Sequence, residues 1–263
     1  MIRQFKIYLI LLLFSIFNTM AQETNTIKLT VIYDNYQAKE GLESDWGFSC
    51  LIEGTEKTIL FDTGAKGSIL MSNMKKLKKD PASIDVIVLS HDHWDHTGGL
   101  STILSTIQGV EVCYPVSFPS KYDDEIKNLN STPIRVSDPM EICSNISLTG
   151  QIDGSIPEQS LILETGEGSV VITGCSHPGI VTIIEKVKEI KEKDIYLVFG
   201  GFHMMGYSKE AVSNTIDAFR SLGVKKCGPS HCTGDKVIKK FKQEFGENYV
   251  KIGVGKEMII EKE

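Results

Sequence analysis

The chain lacks the features that mark several large protein classes. It has no apolar run long enough to cross a bilayer, since its most apolar stretch, residues 7–17, is eleven residues, well short of the ~20 a spanning helix needs. It has no basic excess, with 28 Lys and Arg against 34 Asp and Glu, and that balance argues against a general nucleic-acid binder. The lysine clusters at 75–79 and 236–242 read as solvated helix faces. No Pro-, Gly- or Ser-rich linker and no repeat of fixed period divides the chain, so residues 22–263 read as one domain. Its six cysteines are widely and irregularly spaced, and a chain of 263 residues needs no disulfide staples, so few or none are expected. Histidine is equally sparse, at six residues.

Residues 1–21, MIRQFKIYLILLLFSIFNTMA, have a basic start (Arg3, Lys6), the short apolar run, and small residues at Thr19 and Ala21. That pattern predicts a secretory signal cut before Gln22, with the mature protein periplasmic or secreted and without a membrane anchor. No cysteine follows the apolar run to carry a lipid.

The remaining residues alternate strand and helix patterns. Strands are predicted at 26–34, 48–53 and 57–64, a helix at 68–79, a buried strand at 84–90, a helix at 97–107 and a strand at 110–115. The stretch 117–133 is polar, turn-rich and weakly patterned. Strands follow at 146–150, 160–164, 169–174, 195–201 and near 224–228, with helices at 180–191, 209–223 and 236–246 and closing strands at 249–260. An α/β architecture follows from this order.

Three of the six histidines fall between positions 91 and 96, in SHDHWDHTGG, where a buried strand stops. His91 and His93 are two apart and can point to one side of an extended strand end, and Asp95 and His96 lie where the next helix begins. Such a cluster has little packing use, and adjacent imidazoles are electrostatically poor neighbours unless a metal keeps them neutral. The other histidines stand in TGCSHPG (His177), GGFHM (His203) and PSHCTG (His231), each after a strand and flanked by glycine, serine or cysteine. Cys175 and Cys232 lie within two residues of a histidine.

His91, His93, Asp95 and His96 resemble the H-x-H-x-D-H signature of the metallo-β-lactamase superfamily, and the earlier FDTG, with Asp62, resembles its aspartate after an early strand. Together LSHDHWDHTGGL, ITGCSHPGI, GGFHM and PSHCTG look like the dihydropterin ribofuranosylaminobenzene phosphate synthase-like branch, over about residues 27–255. The resemblance implies an αββα sandwich of two mixed sheets flanked by helices. It also implies two divalent ions, zinc first with manganese or iron able to use the same set. His91, His93 and His177 would hold one ion and Asp95, His96 and His231 the other, with a hydroxide between them as the nucleophile.

On the same analogy Asp62 orients the ligand loop, Asp95 is catalytic, and Cys175 stands where many relatives carry a bridging aspartate; His203, the histidine left over from the ligand sets, follows a strand through two glycines that could turn it into the cleft as a second catalytic residue. Cys175 is then a thiolate ligand or a small buried thiol, Cys232 is structural, and His203 is a proton donor or an ordinary loop histidine. His93 occupies a position where redox di-iron relatives carry glutamate, which favours hydrolysis of a small ester, lactone or phosphodiester. Three other readings stay open: a pterin-related phosphate synthase-like activity, a mononuclear iron dioxygenase of a sulfur substrate, and a metal-binding protein without catalysis. The expected partner is a small-molecule substrate, with oligomeric state undetermined.

Overall fold

The computed structural model describes residues 26–262; the expected signal segment, 1–21, lies outside the described residues. Its strands are β1 (Thr26–Tyr33), β2 (Ser49–Glu53), β3 (Ile59–Phe61), β4 (Val86–Val88), β5 (Glu111–Pro115), β6 (Thr132–Val136), β7 (Met140–Cys143), β8 (Ile146–Leu148), β9 (Leu161–Thr165), β10 (Gly168–Thr173), β11 (Ile195–Gly201), β12 (Lys226–Ser230) and β13 (Glu257–Glu261). Its helices are α1 (Gly67–Lys76), α2 (Trp94–Thr97), α3 (Leu100–Leu104), α4 (Lys121–Asn128), α5 (Ile180–Lys191), α6 (Lys209–Ser221) and α7 (Asp235–Phe245). None of the described helices is long and apolar enough to cross a membrane.

One sheet runs β13-β1-β2-β3-β4-β5-β6 and the other β12-β11-β10-β9-β8-β7. Each is mixed: β3 to β6 are parallel and β13 to β3 antiparallel, while β10 to β12 are parallel and β7 to β10 antiparallel. The strand period of two builds three layers of core. Ile59, Phe61, Val86, Val88, Val170 and Ile172 face the space between the sheets. Leu60, Ile87 and Leu89 turn outward onto α1, α3 and α4, and Val171 turns outward onto the other helix layer. In α5 the buried residues Ile180, Ile183, Ile184 and Val187 repeat at helical spacing, and α6 starts on a Ser208 cap that accepts from the Ala211 amide. Two sheets between two helix layers form the αββα sandwich that the motif implied.

The structure departs from the sequence reading in four places, one of them β7, a strand over residues to which the sequence reading gave no element. The helix expected over 97–107 is two short ones, because Gly98 and Gly99 lie between them with no room for a side chain: a Cβ on Gly98 would sit 2.2 Å from the Ala65 carbonyl oxygen. The weakly patterned stretch 117–133 contains α4, which buries Tyr122 and Ile126, and runs into β6. Pro133 obscured that strand, but β6 is the edge of its sheet, where proline is tolerated. The closing residues contain one strand, β13, rather than several.

Parallel strands of both sheets end at one rim of the sandwich. Phe61 pairs with Val88, and Thr173, Gly200 and Pro229 lie side by side. The residues just after these positions are therefore brought together: Asp62, the 90–96 loop, Cys175, His177, His203 and His231.

Candidate metal centre

Two groups of donor atoms converge at this rim. His91, His93 and His177 form one and Asp95, His96, Cys175 and His231 the other, with the donor atoms of each within 4.8 Å of one another. These are the two ligand sets that the resemblance implied, with Cys175 added to the second. Cys175 also belongs to a third grouping with His177 and His203. Asp95 and His96 sit at the start of α2, as their place in the sequence suggested, and the short helix aims both inward.

Outer partners fix the tautomers of the imidazoles. Asp62 is fully buried, and its Oδ2 accepts from His96 Nδ1 at 2.7 Å and from the Ser90 hydroxyl at 2.8 Å. Because that hydroxyl donates to Asp62, its oxygen accepts from His91 Nδ1 at 2.9 Å. His231 Nδ1 donates to Asn35 Oδ1 at 2.9 Å, an oxygen already accepting from the Gly47 amide. His91, His96 and His231 in their neutral forms therefore each turn a bare Nε2 inward. His96 Nε2 and His231 Nε2 face each other at 3.2 Å, with an Asp95 oxygen 3.2 Å from the latter and Cys175 Sγ 3.3 Å from the former. In the first group His93 Nδ1 lies 3.0 Å from His91 Nε2, and the buried His177 Nε2 has no hydrogen-bond partner. Lone pairs brought this close repel one another unless a cation lies among them, so the donor set fits metal ions.

The electrostatics agree. Burial, followed by the neighbouring imidazoles, pushes His91 well below its ordinary value and His177 down to about 3, and His93 is lowered by burial as well. All three are thus held in the neutral, ligating form. Burial opposes charge on His96 too, but Asp62, Asp95 and Glu158 outweigh it and hold the ring up at about 9. Asp95 is lowered despite its burial, through the His231 hydrogen bond and the His96 charge. The second group is a pocket that calls for positive charge, whether a proton or a metal ion.

Several contributors were not foreseen. Glu158 is fully buried, and its Oε1 accepts from the amides of Gly174, Cys175 and Ser176 at 3.1, 2.9 and 2.9 Å while Oε2 accepts from His177 at 2.9 Å. It shapes the loop that presents Cys175 and His177. Gln159 beside it donates its side-chain amide to the Leu89 carbonyl and its backbone amide to the Ser90 carbonyl, tying the two halves together. A polar Glu-Gln-Ser run between strands reads as loop, and only its complete burial reveals the role. Asn35 and Ser90 carried no signal beyond their residue type. Cys232, read as structural, lines the cavity itself, its sulfur 3.6 Å from the Cys175 carbonyl oxygen.

His203 lies at the open side, exposed, with its ring centroid 4.3 Å from that of His177. Its hydrogen bond with Cys232 raises its pKa. Gly200 and Gly201 let β11 approach β10 closely enough to place it there: a Cβ on Gly200 would lie 2.1 Å from the Thr173 carbonyl oxygen. The cavity has a volume of about 230 Å³ and is lined by Trp46, His93, Trp94, Asp95, Cys175, His177, His203 and Cys232. A larger cavity of about 630 Å³ between α6 and α7 is lined mainly by lysines with Tyr207, Ser213, Gln243 and two valines, and by no histidine, cysteine or carboxylate, so the chemistry belongs to the smaller one.

The fold and this donor set define a class, and the chain belongs to the metallo-beta-lactamase superfamily, whose match spans residues 47–231. Among its relatives is the 7,8-dihydropterin-6-methyl-4-(beta-D-ribofuranosyl)-aminobenzene-5'-phosphate synthase of Methanocaldococcus jannaschii, 31% identical over 89% of this chain and 97% of that protein. Among solved structures, Tm1679, described as a metal-dependent hydrolase of the beta-lactamase superfamily, is 29% identical, with a TM-score of 0.74 over 88% of this chain and 98% of that one. A diphosphatase of the PhnP family shares the fold at 14% identity and a TM-score of 0.60, over 89% of this chain and 97% of that one.

Proposed function

We propose that this protein is a metal-dependent hydrolase of a small ester, lactone or phosphodiester. In this reading His91, His93 and His177 hold one divalent ion, Asp95, His96 and His231 a second, and Cys175 lies between them. The observation that carries it is the convergence of bare Nε2 atoms at 3.2 Å beside a carboxylate and a thiol, inside a cavity open to solvent. Bound there, two such ions supply Lewis acidity and lower the pKa of water toward ~7, giving a nucleophile at neutral pH. An imidazole-rich set with one sulfur suits zinc best.

The chain's own residues do the rest. Asp62 and Asn35 hold the donor tautomers, Glu158 holds the Cys175–His177 loop, and Asp95 contributes the negative charge that orients the second ion. His203, on the open side, keeps a proton within reach of a leaving group. Residues 1–21 export the chain, and the mature N-terminus lies near Gln22. Metal analysis joined to turnover assays on an ester, lactone and phosphodiester panel tests the reading. Two ions per chain with turnover is expected; a single iron, or two ions without turnover on the whole panel, refutes it. The 31% identity to the archaeal synthase over 97% of its length favours a second reading, that the chain makes the compound in that protein's name. Formation of that product by the metal-loaded chain would decide for it.

A further inference from the structure

The chain has only two tryptophans, and both line the donor cavity. Trp46 is 39% exposed and tilts over His231, ring centroids 5.1 Å apart, while Trp94 is 63% exposed at the first position of α2, between His93 and Asp95. Among the described residues six large hydrophobic side chains are exposed: Trp46 and Trp94 line this cavity, Val116, Met205 and Tyr207 stand on loops after strands β5 and β11, and Ile259 is on the edge strand β13. Isolated exposed apolar residues are ordinary, but two exposed indoles on the wall of one polar cavity mark a binding surface. Nothing in the fold requires an indole at position 94. Its neighbours His93 and Asp95 point inward, and the ring between them faces water and the cavity mouth.

We propose that the two tryptophans cradle an aromatic ring of the substrate, so that the protein selects small aryl esters or aryl phosphoesters over their alkyl counterparts. The inference rests on the donor cavity proposed above and adds its substrate class. Size agrees: a cavity of about 150 Å³ takes benzene, so 230 Å³ leaves room for one ring and the group to be cleaved. Indole faces hold flat rings by offset or edge contact, and they do so without hydrogen-bond demands on the ring. The cavity wall beyond them is imidazole, thiol and carboxylate, which is suited to a polar head and not to a second apolar group.

The test uses phenylphosphonate and methylphosphonate, which have no ester bond to cleave, so binding is measured apart from turnover. Calorimetry on the zinc-loaded chain gives both affinities, and tryptophan emission reports occupancy of this cavity because no other tryptophan exists. Phenylphosphonate is expected to bind roughly 5- to 100-fold more tightly, the range that stacking on an aromatic side chain supplies, and to shift the emission. Trp94→Ala should reduce that ratio toward one at unchanged metal content, and Trp94→Phe should restore most of it. Equal affinities in the wild type, a ratio untouched by Trp94→Ala, or binding without any change in emission overturns the proposal. Selective phenylphosphonate binding by a chain that hydrolyses nothing would refute the hydrolase reading and leave the aromatic cradle standing.

Discussion

Replacing Asp62 with asparagine changes one atom and should disable both metal positions. In the wild type Oδ1 accepts from the Ser90 amide at 2.7 Å, while Oδ2 accepts from the Ser90 hydroxyl and from His96 Nδ1. In Asp62→Asn the amide oxygen keeps the first bond, and its NH2 group replaces Oδ2. A donor then faces the Nδ1–H of His96, so the imidazole is driven to its other tautomer, with the proton on Nε2 where the lone pair was needed. The Ser90 hydroxyl now accepts from the amide and turns its hydrogen toward His91 Nδ1, which flips that ring in the same sense. One ligand in each group is lost. Removing an outer partner of a metal ligand typically costs 10- to 100-fold in affinity, so each ion should bind about 10- to 100-fold more weakly. Forcing a mismatched buried donor costs roughly 1–3 kcal/mol, small enough for a typical domain to stay folded. Competition against a chromophoric chelator measures both affinities, and a denaturation curve measures the fold. Ser90→Ala is the control: it breaks only the arm to His91 and should weaken only the first ion. Wild-type affinity for both ions in Asp62→Asn, or equal losses at both in Ser90→Ala, would refute the relay.

His91→Ala and His96→Ala should each lower metal content and abolish turnover, read by elemental analysis beside the substrate panel; full stoichiometry in both would remove them from the ligand set. Asp95→Asn keeps size but loses the anion, so activity should fall far more than melting temperature. His203→Ala should keep both metals and the fold while kcat falls by about 10²- to 10⁴-fold; loss of a metal would make it a ligand instead. Asp34 is buried with Oδ2 unpartnered, and burial holds it up at about 6 against an ordinary 3.8. A folded acid with a raised pKa contributes stability below its unfolded value that is lost as pH rises through the folded one, so Asp34→Asn should gain about 1–3 kcal/mol at pH 8 and little at pH 4, by denaturant titration at each pH.

The candidate metal ligands were legible because their chemistry is local. HDHWDH concentrates five potential donors in six residues, and His177 and His231 each follow a strand whose apolar pattern is plain. What aims them was not legible, because it is long-range: Asp62 reaches His96 across 34 positions and Asn35 reaches His231 across 196. The strands that read as continuous apolar runs buried on both faces, such as β10 and β11, were placed to within a residue, whereas α4 was hidden. Its apolar face is only Tyr122 and Ile126, completed by Phe118 from outside the helix. Trp94 was passed over for a related reason. Its neighbours carry the metal chemistry, and only exposure distinguishes an indole that faces a cavity from one that fills a core.

The backbone adds an independent argument that this rim was shaped by function. Eight non-glycine residues among those described have positive φ, and Asp62, Ser176, His203 and His231 are four of them, at 55°, 67°, 48° and 49°. Glycine would relieve the steric cost at each position, and none of the four is glycine. Asp62 is needed for its carboxylate, since Oδ2 serves two donors. His231 is needed for Nε2, and its left-handed turn lets β12 end with the ring pointing back at His96 rather than along the strand. Ser176 donates to the Gly201 carbonyl at 2.7 Å, binding the loop that carries His177 to the strand that carries His203. Those three side chains account for their strain through contacts already made. His203 differs in its exposure: its ring packs on His177 and hydrogen-bonds with Cys232 at the cavity edge, yet remains open to solvent. Its left-handed backbone therefore holds an imidazole at the cavity mouth, the position that the proposed proton donor needs.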